Sequence, residues 1–237
     1  MIIIPAIDII EGKAVRLTKG DYKQKTEYAD QPLLVAQAFE KAGLKRLHLV
    51  DLEGAKAQHP VNLDVLKRIS SNTSLHIDFG GGVKSSDALR AVLAAGAHQI
   101  TAGSIAVKDK ALVKEWIESY GAEKIILGAD VIDEKIAVHG WQESSELNVF
   151  YFLESYMELG VQECICTDVS KDGMLQGPAF GLYERIQKAF PQLKLIASGG
   201  VSGKKDLIAL KEMGLYGAIV GKAYYEGKIT LEELSTI

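Results

Sequence analysis

Short apolar runs and amphipathic segments alternate along the whole chain. The first run, IIIPAID at 2–8, is apolar throughout and ends in a carboxylate, which is typical of a strand buried on both faces in a parallel sheet. Helical spacing follows at 32–42, about 61–70, 85–95 and 109–120. Eight strands are predicted in all, at 2–8, 46–51, 75–79, 98–102, 124–130, 162–167, 194–198 and 216–220.

The second half of the chain repeats the first. Gly81-Gly82-Val83 recurs as Gly199-Gly200-Val201, 118 residues later, and the same offset carries Gly103 onto Gly221. The half-repeats run over about 1–120 and 121–237. Eight βα units built from two halves predict an α/β fold, a single (β/α)8 TIM barrel domain spanning 1–237. An open doubly wound sheet is the alternative, but a duplicated half-barrel closes naturally into eight strands.

A long polar connection at 9–30 separates the first strand from the first helix, and residues 13–17 within it are read as a small hairpin strand. Connections of this length inside a compact domain are usually functional. Its cations are either solvated or help to close over an anionic substrate; they are Arg16, Lys19, Lys23 and Lys25.

Composition excludes several classes of protein. With 237 residues and a net charge of −4, the chain has ample core and no basic patch for nucleic acid. Its apolar start is too short for a signal peptide, and no run of about 18 apolar residues is present to span a membrane. Cys164 and Cys166 lack the partners of a zinc site and are read as reduced core thiols. A cytoplasmic monomer without nucleic-acid or membrane partners is expected.

The strand ends carry the candidate chemistry, because in a barrel all of them face one mouth. Asp8 and Asp130 close opposite strands, so they are expected to face each other, one as acid and one as base. Helix capping or loop binding is the alternative for each. Two phosphate sites are predicted at the glycine turns, one formed by Gly81, Gly82, Gly103 and Ser104 and the other by Gly199, Gly200, Gly221 and Lys222.

Other polar residues give weaker evidence for a functional site. Residues 168–173 (DVSKDG) begin like a calcium loop, but the twelfth position is Ala179 instead of Glu, so no metal site is predicted. His48 and His76 lie in apolar strands and are interpreted as core residues. Trp141, which follows His139-Gly140 after the fifth strand, either anchors its loop or stacks on a planar ligand.

Several motifs together resemble one family. They are IPAIDIIEGKAVRL, HLVDLEGA, FGGGV, AGSIAV, HGWQESS, CTDVSKDGMLQGP, ASGGV and VGKAYYEGK, and they span nearly the whole chain. The chain resembles the histidine-biosynthetic isomerases that convert ProFAR, N'-(5'-phosphoribosyl)formimino aminoimidazole carboxamide ribotide, to its ribulosyl isomer. It departs mildly at Glu53, where Asp is commoner, and at Gln58, where a small residue is usual.

The resemblance implies an Amadori rearrangement that needs no cofactor. Asp8 is then the general base at C2, Asp130 the general acid, and Thr167 supports the acid. A substrate with a phosphate at each end would occupy both glycine sites, with Arg16 and Trp141 as further substrate contacts. Three alternatives stay open: a dual-substrate isomerase that also acts on phosphoribosyl anthranilate, the ammonia-using cyclase subunit of imidazole glycerol phosphate synthase, and a non-catalytic phosphosugar-binding barrel.

Overall fold

Eight parallel strands close into a barrel in a computed structural model that describes residues 1–18, 21–138, 141 and 143–237. The strands in chain order are β1 (Ile2–Ile10), β2 (Lys13–Thr18), β3 (Asp21–Ala29), β4 (Arg46–Asp51), β5 (His76–Gly80), β6 (Gln99–Ala102), β7 (Ile125–Ile132), β8 (Lys135–Val138), β9 (Glu143–Asn148), β10 (Glu163–Asp168), β11 (Lys194–Ser198) and β12 (Gly217–Val220). The barrel runs β1-β4-β5-β6-β7-β10-β11-β12, and β12 pairs with β1 to close it. The predicted barrel is confirmed.

Helices surround the barrel on the outside. In chain order they are α1 (Pro32–Lys41), α2 (Leu52–Ala57), α3 (Leu63–Asn72), α4 (Ser86–Ala94), α5 (Ser104–Lys108), α6 (Lys110–Tyr120), α7 (Val149–Met157), α8 (Phe180–Ala189), α9 (Lys204–Glu212), α10 (Lys222–Tyr225) and α11 (Leu231–Ser235), with a 3₁₀ turn at Ala122–Lys124. Most of the buried apolar side chains lie between strands and helices in one continuous core. No helix in the described ranges is long and apolar enough to cross a membrane.

Two antiparallel hairpins extend the barrel at its mouth. β2 and β3 continue β1, pairing Asp8 with Val15, and β8 and β9 continue β7, pairing Val131 with Ile136. The predicted polar connection at 9–30 is therefore largely a hairpin, and the hairpin after β7 was not predicted. Each hairpin begins immediately after one of the two candidate aspartates, so it positions side chains above that carboxyl group.

The inside of the barrel is filled in layers. A small apolar cluster occupies the middle, formed by Ile4, Ala6, Ile126, Ile165, Ile196 and Ile219. Below it, at the amino-terminal ends of the strands, Arg46 Nη1 donates to Glu163 Oε2 at 3.0 Å and Arg46 Nη2 donates to Gln99 Oε1 at 2.7 Å. This network closes the stem of the barrel.

Candidate active site

A cavity of about 260 Å³ opens at the carboxyl-terminal ends of the barrel strands. Asp8, Arg16, Asp130, Trp141 and Thr167 all line it. The two candidate aspartates, which lie 122 residues apart in the chain, thus face one space.

Strand register decides which strand-end carboxyl groups face this cavity. Asp8 lies opposite Val50 and Ile9 opposite Asp51, so Asp8 and Asp51 lie on different faces of the sheet. In the same way Asp130 lies opposite Thr167, whereas Asp168 lies opposite Val131. Asp51 and Asp168 are therefore on the helix side of the barrel.

Asp51 has a structural role. Its carboxylate, which is fully buried, accepts hydrogen bonds from the backbone amides of Gly54, Val61 and Asn62 at 2.7–2.8 Å, and from the Asn62 side chain at 2.8 Å. These bonds cap α2 and fix the following loop. Helix capping, the alternative that sequence alone allowed for Asp8 and Asp130, is in this structure the role of Asp51.

Asp8 is paired with a cation. Arg16 Nη1 donates to Asp8 Oδ2 at 2.9 Å, and Arg16 Nη2 lies 4.0 Å from Asp172 Oδ1. Burial raises the pKa of Asp8, Arg16 acts in the opposite direction, and Asp172 raises it further. The net result is a carboxylate whose pKa lies above the ordinary value but whose charged form has a dedicated partner.

Asp130 has neutral partners. Burial raises its pKa, while hydrogen bonds from the side chains of Trp141 and Thr167 act against that rise. No ion pair of Asp130 is found among the described residues. Trp141 has φ +71°, a conformation that costs a non-glycine residue roughly 1–2 kcal/mol, so the loop holds this indole in place at some cost.

The first glycine site lies on the main cavity. Gly81, Gly82, Gly103 and Ser104 all line it, as predicted for one anion site. Lys84, which sequence reasoning missed, lines it too and donates from Nζ to the Ser104 hydroxyl. Burial lowers the pKa of Lys84 to about 8, and the positive charge of Lys108 acts in the same direction.

The second glycine site is a smaller cavity of about 30 Å³ beside the first. Gly199, Gly200, Gly221 and Lys222 line it together with Arg16. Lys222 Nζ donates to the Gly173 carbonyl at 2.9 Å. The Arg16 guanidinium rests on Gly221, where a Cβ atom would lie 2.6 Å from Arg16 Cζ. One arginine therefore contacts the second glycine site and Asp8 at once.

Neighbouring main chain comes so close to these turns that glycine is required there for a second reason. At Gly81 (φ +98°) a Cβ atom would lie 2.1 Å from the Asp51 carbonyl oxygen, and at Gly200 (φ +82°) 2.3 Å from the Gly177 carbonyl oxygen. Any side chain at either turn would collide with main chain.

Three residues of the site were missed from the sequence. Lys84 follows the FGGGV motif directly and was readable as a cation beside a phosphate turn. Asp172 lies four residues beyond the end of β10, outside the strand-end rule that was applied. His48 was interpreted as a core residue, but its ring lines the cavity. His76, at the other end of the barrel, hydrogen-bonds Gln99 Oε1 at 2.9 Å.

Several further predictions have different outcomes. Lys19, His139 and Gly140 lie outside the described residues. Lys25 pairs with Glu27 at 3.0 Å on the hairpin. Glu53 accepts from the Glu11 amide at 2.6 Å and from Asn62 at 2.9 Å, and Gln58 lines the cavity.

Cys164 and Cys166 are buried and unbridged. Within the described part of the chain, no group of three or more His, Cys, Asp or Glu side chains is arranged to hold a metal ion.

Comparison with known proteins places this barrel in a family. The model of a family described as Histidine biosynthesis protein matches residues 2–230. The chain belongs to this family. The resemblance inferred from the motifs is confirmed, and with it the expected class of enzyme, an isomerase of histidine biosynthesis.

Similar proteins cover nearly the full length. One from Cytophaga hutchinsonii is 54% identical over 233 residues, which is 98% of this chain and 97% of that protein. One from Flavobacterium johnsoniae is 56% identical over 234 residues, covering 99% and 98%, and one from Bacteroides thetaiotaomicron is 55% identical over 232 residues, covering 98% and 97%. All three are named 1-(5-phosphoribosyl)-5-((5-phosphoribosylamino)methylideneamino)imidazole-4-carboxamide isomerase.

Proposed function

We propose that this protein isomerises ProFAR, the compound in the names of its relatives, by an Amadori rearrangement. The observation that carries the proposal is the pair of partly buried carboxyl groups, Asp8 and Asp130, on one cavity between two glycine sites. The substrate carries two phosphates, and the glycine turns offer one site for each.

The surroundings of the two carboxyl groups suggest their roles. Asp8 has the guanidinium of Arg16 as partner, which stabilises the ionised form against the opposing effect of burial, as a base requires. Asp130 is partly buried beside neutral donors, and burial raises its pKa, which leaves the proton-bearing form accessible, as an acid requires. Thr167 and Trp141 orient the Asp130 carboxyl group.

The proton transfers balance with these two groups alone. Asp130 gives a proton to the ring oxygen as the C1–O bond breaks, and the nitrogen lone pair forms the iminium. Asp8 removes the C2 proton, and the electrons of the C–H bond form the C1=C2 double bond of an enolamine. Asp8 then returns its proton to C1 while the C2 hydroxyl gives its proton to Asp130, which leaves a ketone at C2 and both carboxyl groups reset.

Of the alternatives, the cyclase is not favoured. Ammonia from a glutaminase would need a passage through the barrel, and the stem is closed by the Arg46–Glu163 pair. Activity on phosphoribosyl anthranilate is a matter for the assay, where that compound serves as the comparison substrate. A monomeric state and a cytoplasmic location stay predictions.

The test is turnover of ProFAR, followed by its absorbance change, with wild type and with Asp8→Asn and Asp130→Asn. General acid–base catalysis supplies about 10²–10⁴-fold per group, so each variant should lose at least that in kcat while still binding product. Asp168→Asn is the matched control, since that carboxyl group lies on the helix side of a barrel strand. Wild type without turnover would refute the function, and near-normal turnover in either variant would remove that residue from its role.

A further inference from the structure

Three polar side chains on successive barrel strands form a chain inside the barrel. His48 on β4 has Nδ1 2.5 Å from Asp78 Oδ1 on β5, and Thr101 Oγ1 on β6 donates to the same oxygen at 2.9 Å. Asp78 is fully buried. A carboxylate only accepts, so the Nδ1 proton of His48 points at Asp78 and Nε2 is left for another partner.

The free nitrogen belongs to a ring that faces the cavity. His48 lines the same space as Asp8 and Asp130, and its side chain keeps 13% exposure there. Among the described residues, no hydrogen-bond partner of Nε2 is found. A buried carboxylate thus fixes the orientation of the imidazole, and its other nitrogen faces the cavity side of the ring.

Packing of the barrel does not require this polar chain. The residues 117 or 118 positions further along are Ile165, Ile196 and Ile219, all three in the apolar cluster inside the barrel. The repeated half of the fold therefore fills the matching positions with isoleucine. A buried carboxylate is costly, and Asp78 Oδ2 has no hydrogen-bond partner among the described residues. The polar chain is kept at a cost that the other half of the barrel avoids.

The charges around His48 favour its protonated form. Asp78 from β5 and Asp8 from β1 face it, and Arg16 from the β2 strand opposes them. Burial lowers the pKa of His48, and the two aspartates outweigh it and raise the pKa above its ordinary value. When it is protonated, the His48 ring lies close enough to lower the pKa of both Asp8 and Asp130.

We propose that His48, oriented by Asp78 and Thr101, is a third catalytic residue that donates from Nε2 to the oxygen on C2 of the substrate. This rests on the proposed function. A charged donor at that oxygen withdraws electrons from C2, which acidifies the C2–H bond that Asp8 breaks, and it holds the same oxygen as the ketone forms. His48 keeps its proton throughout, and the C2 hydroxyl can still give its own proton to Asp130 because a hydroxyl both donates and accepts.

Two substitutions separate the nitrogens of His48. In His48→Asn the amide nitrogen stands near the Nδ1 position and keeps a donor for Asp78, but nothing reaches the cavity. In His48→Gln the amide reaches the Nε2 position, and Asp78 loses its contact with residue 48 and keeps the one with Thr101. We expect His48→Asn to melt near the wild-type temperature and to lose about 10²–10³-fold in kcat on ProFAR, as for other donors to reacting oxygens. His48→Gln should melt lower and keep more of the turnover.

Two further variants complete the test. His76→Gln changes the histidine at the opposite end of the neighbouring strand and should keep wild-type kcat. The triple variant His48→Ile, Asp78→Ile, Thr101→Ile copies the other half of the barrel, and it should fold at least as well as wild type and be as slow as His48→Asn. Asp78→Asn should move the fall of kcat on the alkaline side to lower pH, since the carboxylate that keeps His48 protonated is gone.

The outcomes decide between roles. A merely structural chain predicts the reverse pattern, with His48→Asn active and the triple variant unfolded, and either result overturns the proposal. If His48→Asn itself fails to fold, the triple variant alone decides. The proposal is refuted if the triple variant is folded and active, and also if it is unfolded. Wild type and His76→Gln must turn over ProFAR in the same assay; if they do not, the proposed function fails instead.

Discussion

Lys84 offers a prediction with a defined pH dependence. Its ammonium lies beside Ser104 at the first glycine site, and burial together with Lys108 lowers its pKa to about 8. If it binds a substrate phosphate, Lys84→Met should weaken that contact by the value of a charged hydrogen bond, about 1.5–3 kcal/mol. This corresponds to about a 10- to 150-fold rise in KM at pH 7.

The sign of the pH effect follows from the direction of the shift. A lysine with a pKa of about 8 is about 90% charged at pH 7 and about 10% charged at pH 9, whereas phosphate monoesters, with a second pKa of about 6, stay doubly charged over most of that range. Because kcat/KM reports groups of the free enzyme, it should fall about ten-fold between pH 7 and pH 9 in wild type.

The assay is kcat/KM for ProFAR from pH 6.5 to about 9.5 in four proteins. Lys84→Arg should lose the part of the alkaline fall that Lys84 contributes, because a guanidinium keeps its charge, and should retain only the fall assigned to His48. Lys108→Met should keep the wild-type KM at pH 7 and move the fall to higher pH, since a repelling charge is removed. An alkaline fall that persists unchanged in Lys84→Arg, or an unaltered KM in Lys84→Met, would falsify the assignment.

Three further predictions concern the turns and the cavity. Gly81→Ala should cost several kcal/mol more in urea unfolding than Gly43→Ala, which has a similar φ (+90° against +98°) but open space for a methyl group; equal costs would refute the clash with main chain. Trp141→Ala should weaken ProFAR binding roughly ten-fold, and unchanged kinetics would leave the residue a loop anchor. Arg16→Met removes a cation that lowers the pKa of Asp8, so the acidic limb of kcat/KM should move to higher pH; a limb in the same place would separate Arg16 from the base.

The barrel could be predicted because its strands are continuous apolar runs in the sequence. The predicted strands at 46–51 and 194–198 match β4 and β11 to the residue, and the other barrel strands differ by one or two positions at their ends. Glycine after an amphipathic segment likewise marks where α1 stops, near Gly43. These signals are local and strong.

The hairpins were predicted only in part: the small strand expected at 13–17 is β2, whereas β3 and the hairpin after β7 were not predicted. β3 (DYKQKTEYA) is polar at six of nine positions, because at the mouth of the barrel it packs little apolar surface. Hydrophobic periodicity therefore has nothing to detect. For a related reason, the sequence does not show on which side of the sheet each strand-end carboxyl group lies. Barrel strands are apolar on both faces, so the pattern alone does not tell that Asp8 faces the cavity and Asp51 faces the helices.

A duplicated barrel gives two similar glycine sites, and under the proposed function a substrate with two phosphates uses both. The chemistry between those sites needs the opposite of symmetry, because two carboxyl groups in identical surroundings would compete for one protonation state instead of dividing the work of acid and base. The two halves differ where this matters: Arg16 pairs with Asp8, while Trp141 and Thr167 donate to Asp130. The two halves also differ inside the barrel, where His48, Asp78 and Thr101 of the first half correspond to three isoleucines in the second half. Residues that depart from the repeat inside the barrel are therefore the ones to mutate first in search of catalysis, and residues that obey it, such as Gly81 and Gly199, are the ones that we propose hold the substrate ends.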